Sequence, residues 1–466
     1  MKKSFLLFLL LICLAVGGLA GMSVWVSKDN EAVEVTQTTL QGYPAAAQGL
    51  TITVHNQMFN QLFWDTKFPA ANAAESLSEF RFSQKVLHFY EFHDYPPEIS
   101  MPSFGGGMSS DMGIDLERED WGNGGILTRP AIDLAKTMGP NETKSKTVHV
   151  ADYYSCYPIV LDYYTRYYGD EDLEDQWRNG QEAFQRFFSI PIPSQVQVTY
   201  TITTNEMGEV IELYCDTQSW LELNTAVAQG DGGYYYILDS HVSEDEAKNG
   251  MVQMDLSHIQ GGYGVYFVPF LENEASGWAD LKMDQVQTVY QVPQGERTVN
   301  LFTNEKGNLL LYTVAGETWY LNVLSSDGRQ LLQRLELGQM GSNGYMVDPL
   351  EGEDHMLLFF NDHQLILLTW DGEDYALAHA LQMPEDEQWD DSGKEQLAHW
   401  DGQRLALLER NSLSWEDTSY RLTVWQGGEL TYQGVYTMSF AKNNATQRYS
   451  NAIIRGIDSQ AIELSG

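Results

Sequence analysis

The sequence predicts an all-β protein: a β-propeller of about six to eight four-stranded blades with a short helical and loop insertion, preceded by one N-terminal transmembrane helix. An uncharged apolar run comes directly after two lysines at the start of the chain. Strand-like runs separated by tight turns fill most of the remainder. Three of those runs recur at a fixed interval in the last third of the 466 residues.

Lys2 and Lys3 precede residues 4–26, which carry no charge, and the next charged residue is Lys28. About 20 apolar residues suffice to cross the hydrocarbon core as a helix, and paired lysines favour the cytoplasmic side. Residues 1–27 therefore read as a membrane anchor, which places the C-terminal body outside the cytoplasm of a single-pass cell-membrane protein. A cleaved signal peptide reads the same residues differently, since Gly17, Gly18, Ala20 and Gly21 come after the apolar run as a cleavage region would, and the body would then be secreted. Met22, Val24, Trp25 and Val26 carry the apolar stretch past those small residues, which favours the anchor. Ile12 stands before Cys13 where a lipobox needs a small residue, which argues against lipidation.

Residues 28–48 are polar and small, without an apolar period, and read as a spacer. The body spans 49–466, with an insertion at about 98–190. Residues 51–54 and 79–92 are strand-like, and Pro96-Pro97 ends the second run. The glycine-rich stretch 98–147 reads as long loops; its glycines lead into no Gly-Lys-Ser or Gly-Lys-Thr, so a phosphate cradle is unsupported. From Asp170 the apolar spacing becomes helical through Leu173, Trp177, Phe184, Phe187 and Phe188, until Pro191 and Pro193 stop it. Alternation at 196–202, a turn at 205–208 and a return at 210–215 predict a hairpin. Further strand-like runs lie at 233–238, 252–256, 263–270 and 286–292.

NLLLY at 308, MLLFF at 356 and RLALL at 404 start 48 residues apart and mark a repeat. Each leads into two more strand-like runs, joined by Asp327-Gly328, Asp371-Gly372 and Gly427-Gly428, dipeptides that suit tight hairpin turns. With a preceding strand such as 298–302 or 397–400, each unit has four strands, the size of a propeller blade. Runs 452–457 and 461–464 are placed to pair with 51–54 and close the ring. Tandem β-sandwiches are the alternative architecture.

Candidate sites are few. Seven of the sixteen residues 153–168 are tyrosine, an amphipathic cluster in which Tyr153, Tyr154 and Tyr157 are candidate ligand-binding residues. Cys156 and Cys215 are a candidate disulfide in an exported chain. No metal site is expected: the ten histidines are scattered, and His88 and His93, with Glu91 between, would point to opposite faces of a strand. No Gly-x-Ser-x-Gly elbow or EF-hand spacing occurs, so no catalytic residue is assigned and no cofactor is expected.

The formal net charge is -38 at pH 7. A body this acidic repels phosphate backbones, which excludes nucleic acid as a general partner. The two lysines of the leading segment sit on the other side of the apolar run, so the exported part is more negative still. Together these features indicate a membrane-tethered extracytoplasmic binding or assembly protein, leaning away from an enzyme. Its expected partners are the membrane through the N-terminal helix, and other membrane or cell-surface proteins or a glycan. The alternative is a surface glycan-acting enzyme with carboxylates gathered at the propeller axis.

Overall fold

The computed structural model describes residues 11–21, 24, 33–58, 62–82, 98–101, 105–110, 113–116, 127–162, 171–217, 220–221, 223–270, 281–339, 346–352, 354–360, 364–384, 396–411, 418–440 and 457–465. The fold is all-β with many antiparallel sheets, and it separates into two compact units, Met1–Glu91 with Val347–Gly466, and Phe92–Met346.

In the first unit, the strands Met346–Glu351, His355–Phe360, Gln364–Trp370 and Tyr375–Gln382 form one four-stranded antiparallel sheet in chain order. Gln396–Trp400, Arg404–Asn411, Thr418–Gln426 and Glu429–Phe440 form the next, with Val33–Gly42 added outside the last of them. In the third sheet Thr51–Met58, Leu62–Pro69 and Leu77–Phe82 are joined by the final strand, Ile457–Ser465, through the register Thr51 to Ser465 and Val54 to Ile462. The C-terminal run thus pairs with the early strand as its pattern predicts; residues 452–456 lie outside the described residues.

The second unit repeats the plan. Gly106–Ser109, Val210–Thr217, Gln197–Thr204 and Thr143–His149 make one sheet; Asn224–Gly230, Gly233–Asp239, Gly264–Pro269 and Gln287–Gln291 make another. Glu296–Thr303, Leu309–Ala315, Thr318–Leu324 and Leu331–Gln339 make the third. The three 48-residue markers each fall on the second, in chain order, of four consecutive antiparallel strands.

The second strands read as continuous apolar runs because both of their faces are covered. Successive side chains of a strand point to opposite faces, and the structure gives each face its own core. Leu405 and Leu407 pack with Leu357, Leu367 and Trp425 of one cluster, while Ala406 and Leu408 pack with Ile52, Val54 and Phe68 of another. In the second unit, Tyr235 and Ile237 join Leu309 and Leu311, whereas Tyr234, Tyr236 and Leu238 join Val198, Tyr200 and Ile202. Each unit therefore contains three sheets of four or five strands packed face to face, and the second unit holds two short two-stranded sheets as well.

A turn residue illustrates how closely they stack. Gly328 has φ 69°, and a Cβ there would approach Val289 at 3.0 Å and Tyr235 at 3.1 Å. The hairpin is pressed against the neighbouring sheet, and Tyr235 donates its hydroxyl to the Ser326 carbonyl at 2.8 Å.

The predicted helix is Glu171–Phe188. Phe184 and Phe188 are fully buried, and the Phe188 ring lies edge-on to Tyr266 with centroids 5.2 Å apart. Buried Gln181 clamps the short strand Val160–Asp162, accepting from the Leu161 amide at 3.1 Å and donating to its carbonyl at 2.6 Å.

Several expectations change. The stretch 28–48 is not a plain spacer: Val33–Gly42 is a strand paired with Glu429–Phe440, burying only Val33 and Val35, and Pro44–Ala47 is a 3₁₀ turn. An edge strand with one wet face has too little apolar content to announce itself. The loop region 98–147 contains the strands Glu98–Ser100, Gly106–Ser109 and Thr143–His149 and the helix Arg129–Ala135. Of 252–256 only Met251–Val252 is strand, with the 3₁₀ turn Leu256–His258 after it. Residues 83–92 of the run at 79–92 lie outside the described residues. At the N-terminus, 11–21 are helical. Among the described residues no helix is long and apolar enough to cross a membrane; 1–10, 22–23 and 25–27 of the expected anchor lie outside them.

One ion pair is sealed in the first unit. Arg421 Nε and Nη2 each lie 2.9 Å from Glu409 Oε2, with the two side chains 3% and 2% exposed, and Gln396 donates to Glu409 Oε1 at 3.2 Å. Breaking such a pair strands a charge in a low-dielectric interior, while replacing both partners by apolar groups does not. Arg421→Met is expected to lower stability by about 3 to 5 kcal/mol, and adding Glu409→Leu to restore most of the loss, both read from urea unfolding.

Candidate functional site

Two concave regions of the second unit collect polar side chains. The first contains the tyrosines singled out in the sequence. The 3₁₀ turn Val150–Asp152 delivers Tyr153 half-buried and Tyr154 4% exposed, and Tyr157, 1% exposed, is anchored by its amide to the Ile190 carbonyl at 2.8 Å. Tyr154 accepts from the Arg129 amide at 3.1 Å, and the Arg129 guanidinium lies over its ring, 4.6 Å from the centroid. Lys146 Nζ donates to the Tyr153 hydroxyl at 3.4 Å. A cavity of about 370 Å³ opens beside them, walled by Arg129, Tyr154, Cys156, Tyr157, Glu182 and Arg186. Tyr154 and Tyr157 are members of the core with Phe184 and Phe188, so they form the floor of this cavity, and only Tyr153 offers substantial exposed surface. The four tyrosines between 163 and 168 lie outside the described residues.

In the structure Cys156 and Cys215 are both free thiols. Cys156 bridges to Pro191, at the end of the helix segment, whereas Cys215 faces the core from Val210–Thr217. Burial pushes the Cys215 thiol up to about 12, so it is an inert apolar group at neutral pH.

The second region is a cavity of about 680 Å³ that sequence reading missed. Asp239 ends the strand Gly233–Asp239, Glu296 and Arg297 begin Glu296–Thr303, Tyr263 precedes Gly264–Pro269, and Asp255 caps the turn Leu256–His258. Arg297 Nη1 donates to Asp239 Oδ2 at 3.1 Å, and the Tyr263 hydroxyl donates to Asp239 Oδ1 at 3.0 Å while accepting from the Thr298 amide at 2.7 Å. Burial is the largest influence on Asp239 and raises its carboxyl above the ordinary carboxylate range; Arg297 and Tyr263 pull it back. Burial likewise raises the Tyr263 hydroxyl.

The other acids of this cavity are also held. Arg334 forks onto Glu296 through Nη1 to Oε2 at 3.1 Å and Nη2 to Oε1 at 2.9 Å, Thr313 donates to Oε2 at 3.1 Å, and the guanidinium covers the Tyr320 ring at 3.9 Å. Asp255 accepts from the Ser257 amide at 3.0 Å and hydroxyl at 2.6 Å. Carboxylates held in this way keep the cavity's shape and can accept further hydrogen bonds. Among the described residues no group of three or more His, Cys, Asp or Glu is arranged to hold a metal ion. Sequence carries no local sign of this site, because Asp239 and its partner Arg297 are 58 residues apart and meet only through strand register.

No family model matches the chain, and no curated protein matches it. Among solved structures, the WD40 domain of SCAP from fission yeast is similar at 9% identity and TM-score 0.26, covering 87% of this chain and 90% of that one. A Bacteroides caccae protein of unknown function is similar at 10% identity and TM-score 0.23, over 51% of this chain and 89% of that one. Prolyl oligopeptidase B from Galerina marginata is similar at 10% identity and TM-score 0.21, over 70% of this chain and 62% of that one. TM-scores this far below 0.5 establish neither a shared fold nor a shared activity.

Two outcomes check this geometry. Intact mass and alkylation should show free thiols throughout, with Cys215 unlabelled until the chain unfolds and Cys156 labelled before it. For Asp239, a folded-state proton affinity above the unfolded value of about 4 means the folded chain binds that proton first as pH falls. Wild type should therefore gain stability relative to Asp239→Asn as pH is lowered from neutral towards about 4, seen as a converging or reversing gap between urea midpoints.

Proposed function

We propose that the chain is a membrane-tethered extracytoplasmic binding or assembly protein whose four-stranded sheets are blades of a β-propeller, six to eight in number. The observation that carries the tether is the exposure of the described helical residues 11–21. Leu11, Leu14, Val16 and Leu19 are 56%, 65%, 60% and 68% exposed, and every other residue of 11–21 is exposed as well. A helix of a water-soluble body buries an apolar stripe; one that bares all its apolar side chains is suited to lipid. Helical residues rise 1.5 Å each, so 11–21 cover only about half of a hydrocarbon core of roughly 30 Å. A span therefore needs the flanking apolar residues 4–10 and 22–26.

The 48-residue recurrence, the four-stranded sheets and the pairing of the final strand with an early one support the propeller architecture. The partners that hold Asp239, Glu296 and Asp255 give this cavity a fixed, hydrogen-bonding lining suited to binding. Acidity supports a solvated exterior that stands off from anionic lipid heads.

Expressed from its first residue in a bacterial host, the chain should sediment with membranes, resist extraction by alkaline carbonate, and be degraded by protease added outside the cytoplasmic membrane. Removing residues 1–27 should make it soluble. Full-length chain recovered soluble from the cytoplasm would overturn the tether, and an exported chain lacking its first twenty or so residues would replace it with secretion.

A further inference from the structure

The sheet built on Val210–Thr217 and Gln197–Thr204 has a second face that the two cavities do not use. One face of it is core, with Val198, Tyr200, Ile202, Leu213 and Cys215 all buried. The opposite face is a regular grid. Thr143, Ser145 and Thr147 of the outer strand stand directly across from Thr203, Thr201 and Thr199. Each pair is hydrogen-bonded hydroxyl to hydroxyl, at 3.2, 2.8 and 2.8 Å respectively. In the next strand Glu212, Tyr214 and Asp216 continue the same three rows and are exposed.

The chemistry of the grid is specific. A hydroxyl pair holds two protons and uses one between its oxygens, so each row keeps one proton to donate outward and lone pairs to accept. Five of the six are threonine, stiff at χ1, so these groups are largely arranged already and little rotamer freedom remains to be lost on binding. The Tyr214 ring, 57% exposed, leans over the neighbouring strand where a Cβ on Gly107 would come within 3.3 Å of it; the glycine leaves room for the ring to lie low. An exposed aromatic face set among fixed hydroxyls accepts the C–H face of a sugar ring while the hydroxyls meet its edge.

Charge narrows the occupant. The rows contain two carboxylates, Glu212 and Asp216, and no cation, because Lys144 and Lys146 alternate to the other side, opposite Ile202 and Tyr200. Such a face repels polyanions and has no counter-charge for an acidic peptide. We propose that this face binds an uncharged polysaccharide. The assignment rests on the reading of the chain as a binding protein and names its ligand class.

The test uses the full chain in detergent with insoluble cellulose and chitin, and with alginate beads as the anionic contrast. Wild type should be retained on at least one neutral polymer and not on alginate. Ser145→Ala with Thr201→Val removes the central hydroxyl row and should weaken retention roughly tenfold or more, with an unchanged circular dichroism spectrum. Tyr214→Ala, at an exposed position, should do the same if the double variant misfolds. Retention on neither neutral polymer, or undiminished retention of folded variants, overturns the proposal. Chain that ignores both polymers yet co-purifies with a specific surface protein leaves the tethered-binding reading standing, so the two failures are told apart.

Discussion

The first unit depends on backbone pairings made between the two ends of the chain. Val33–Gly42 lies on Glu429–Phe440, and Ile457–Ser465 lies on Thr51–Met58, each across some four hundred residues. Each added strand extends its sheet and becomes the new edge. Side chains reinforce the seam. His55 Nδ1 is 2.6 Å from Asp65 on one side, and its Nε2 is at ion-pair distance, 3.2 Å, from Glu463 of the last strand on the other. Gln37 of the first strand donates to the Ala70 carbonyl at 3.2 Å and to the Tyr432 hydroxyl at 2.9 Å, and Tyr432 lies 3.1 Å from Tyr436. Gly434 is where it is because a Cβ there would collide with the Tyr432 hydroxyl. Closing so long a loop costs entropy only logarithmically with length, so the apolar cores on both sides can offset it once they form. The arrangement also makes folding of this unit dependent on contacts of high sequence separation, which are slow to establish.

Burial decides which elements the sequence makes legible. Second strands such as His355–Phe360 and Leu309–Ala315 are covered on both faces and announce themselves as apolar runs, which is why the 48-residue recurrence stands out. The helix Glu171–Phe188 stands out because Phe184, Phe187 and Phe188 fall on one face. Edge strands do not. Thr143–His149 reads TKSKTVH and buries only Val148, because its other face holds the hydroxyl grid and its lysines reach Thr137 and Tyr153. Val33–Gly42 hides for the same reason. The tyrosine cluster is visible as composition, but composition does not say that Tyr154 and Tyr157 are core while Tyr153 is not.

Sites are the least legible because they are made by register. Asp239 and Arg297, Glu296 and Arg334, and the Thr/Ser pairs each join residues dozens of positions apart, on strands whose mutual alignment no local pattern encodes. Acidic side chains are abundant, and abundance conceals the few that are buried. Those few are neutralised locally by arginines.

The pairing of the last strand with the first body strand is the contact on which the architecture rests, and its register is testable directly. Opposed residues of an antiparallel pair have Cα atoms about 4.5 to 5.5 Å apart, within disulfide range. Thr53 and Glu463 are opposed and both reach solvent. In a chain with Cys13, Cys156 and Cys215 replaced by Ala, Thr53→Cys with Glu463→Cys should be oxidised by added oxidised glutathione to an intramolecular bridge seen as a mass loss of two hydrogen atoms, while Thr53→Cys with Ala461→Cys should not. Equal oxidation of both pairs, or of neither, would contradict this strand pairing.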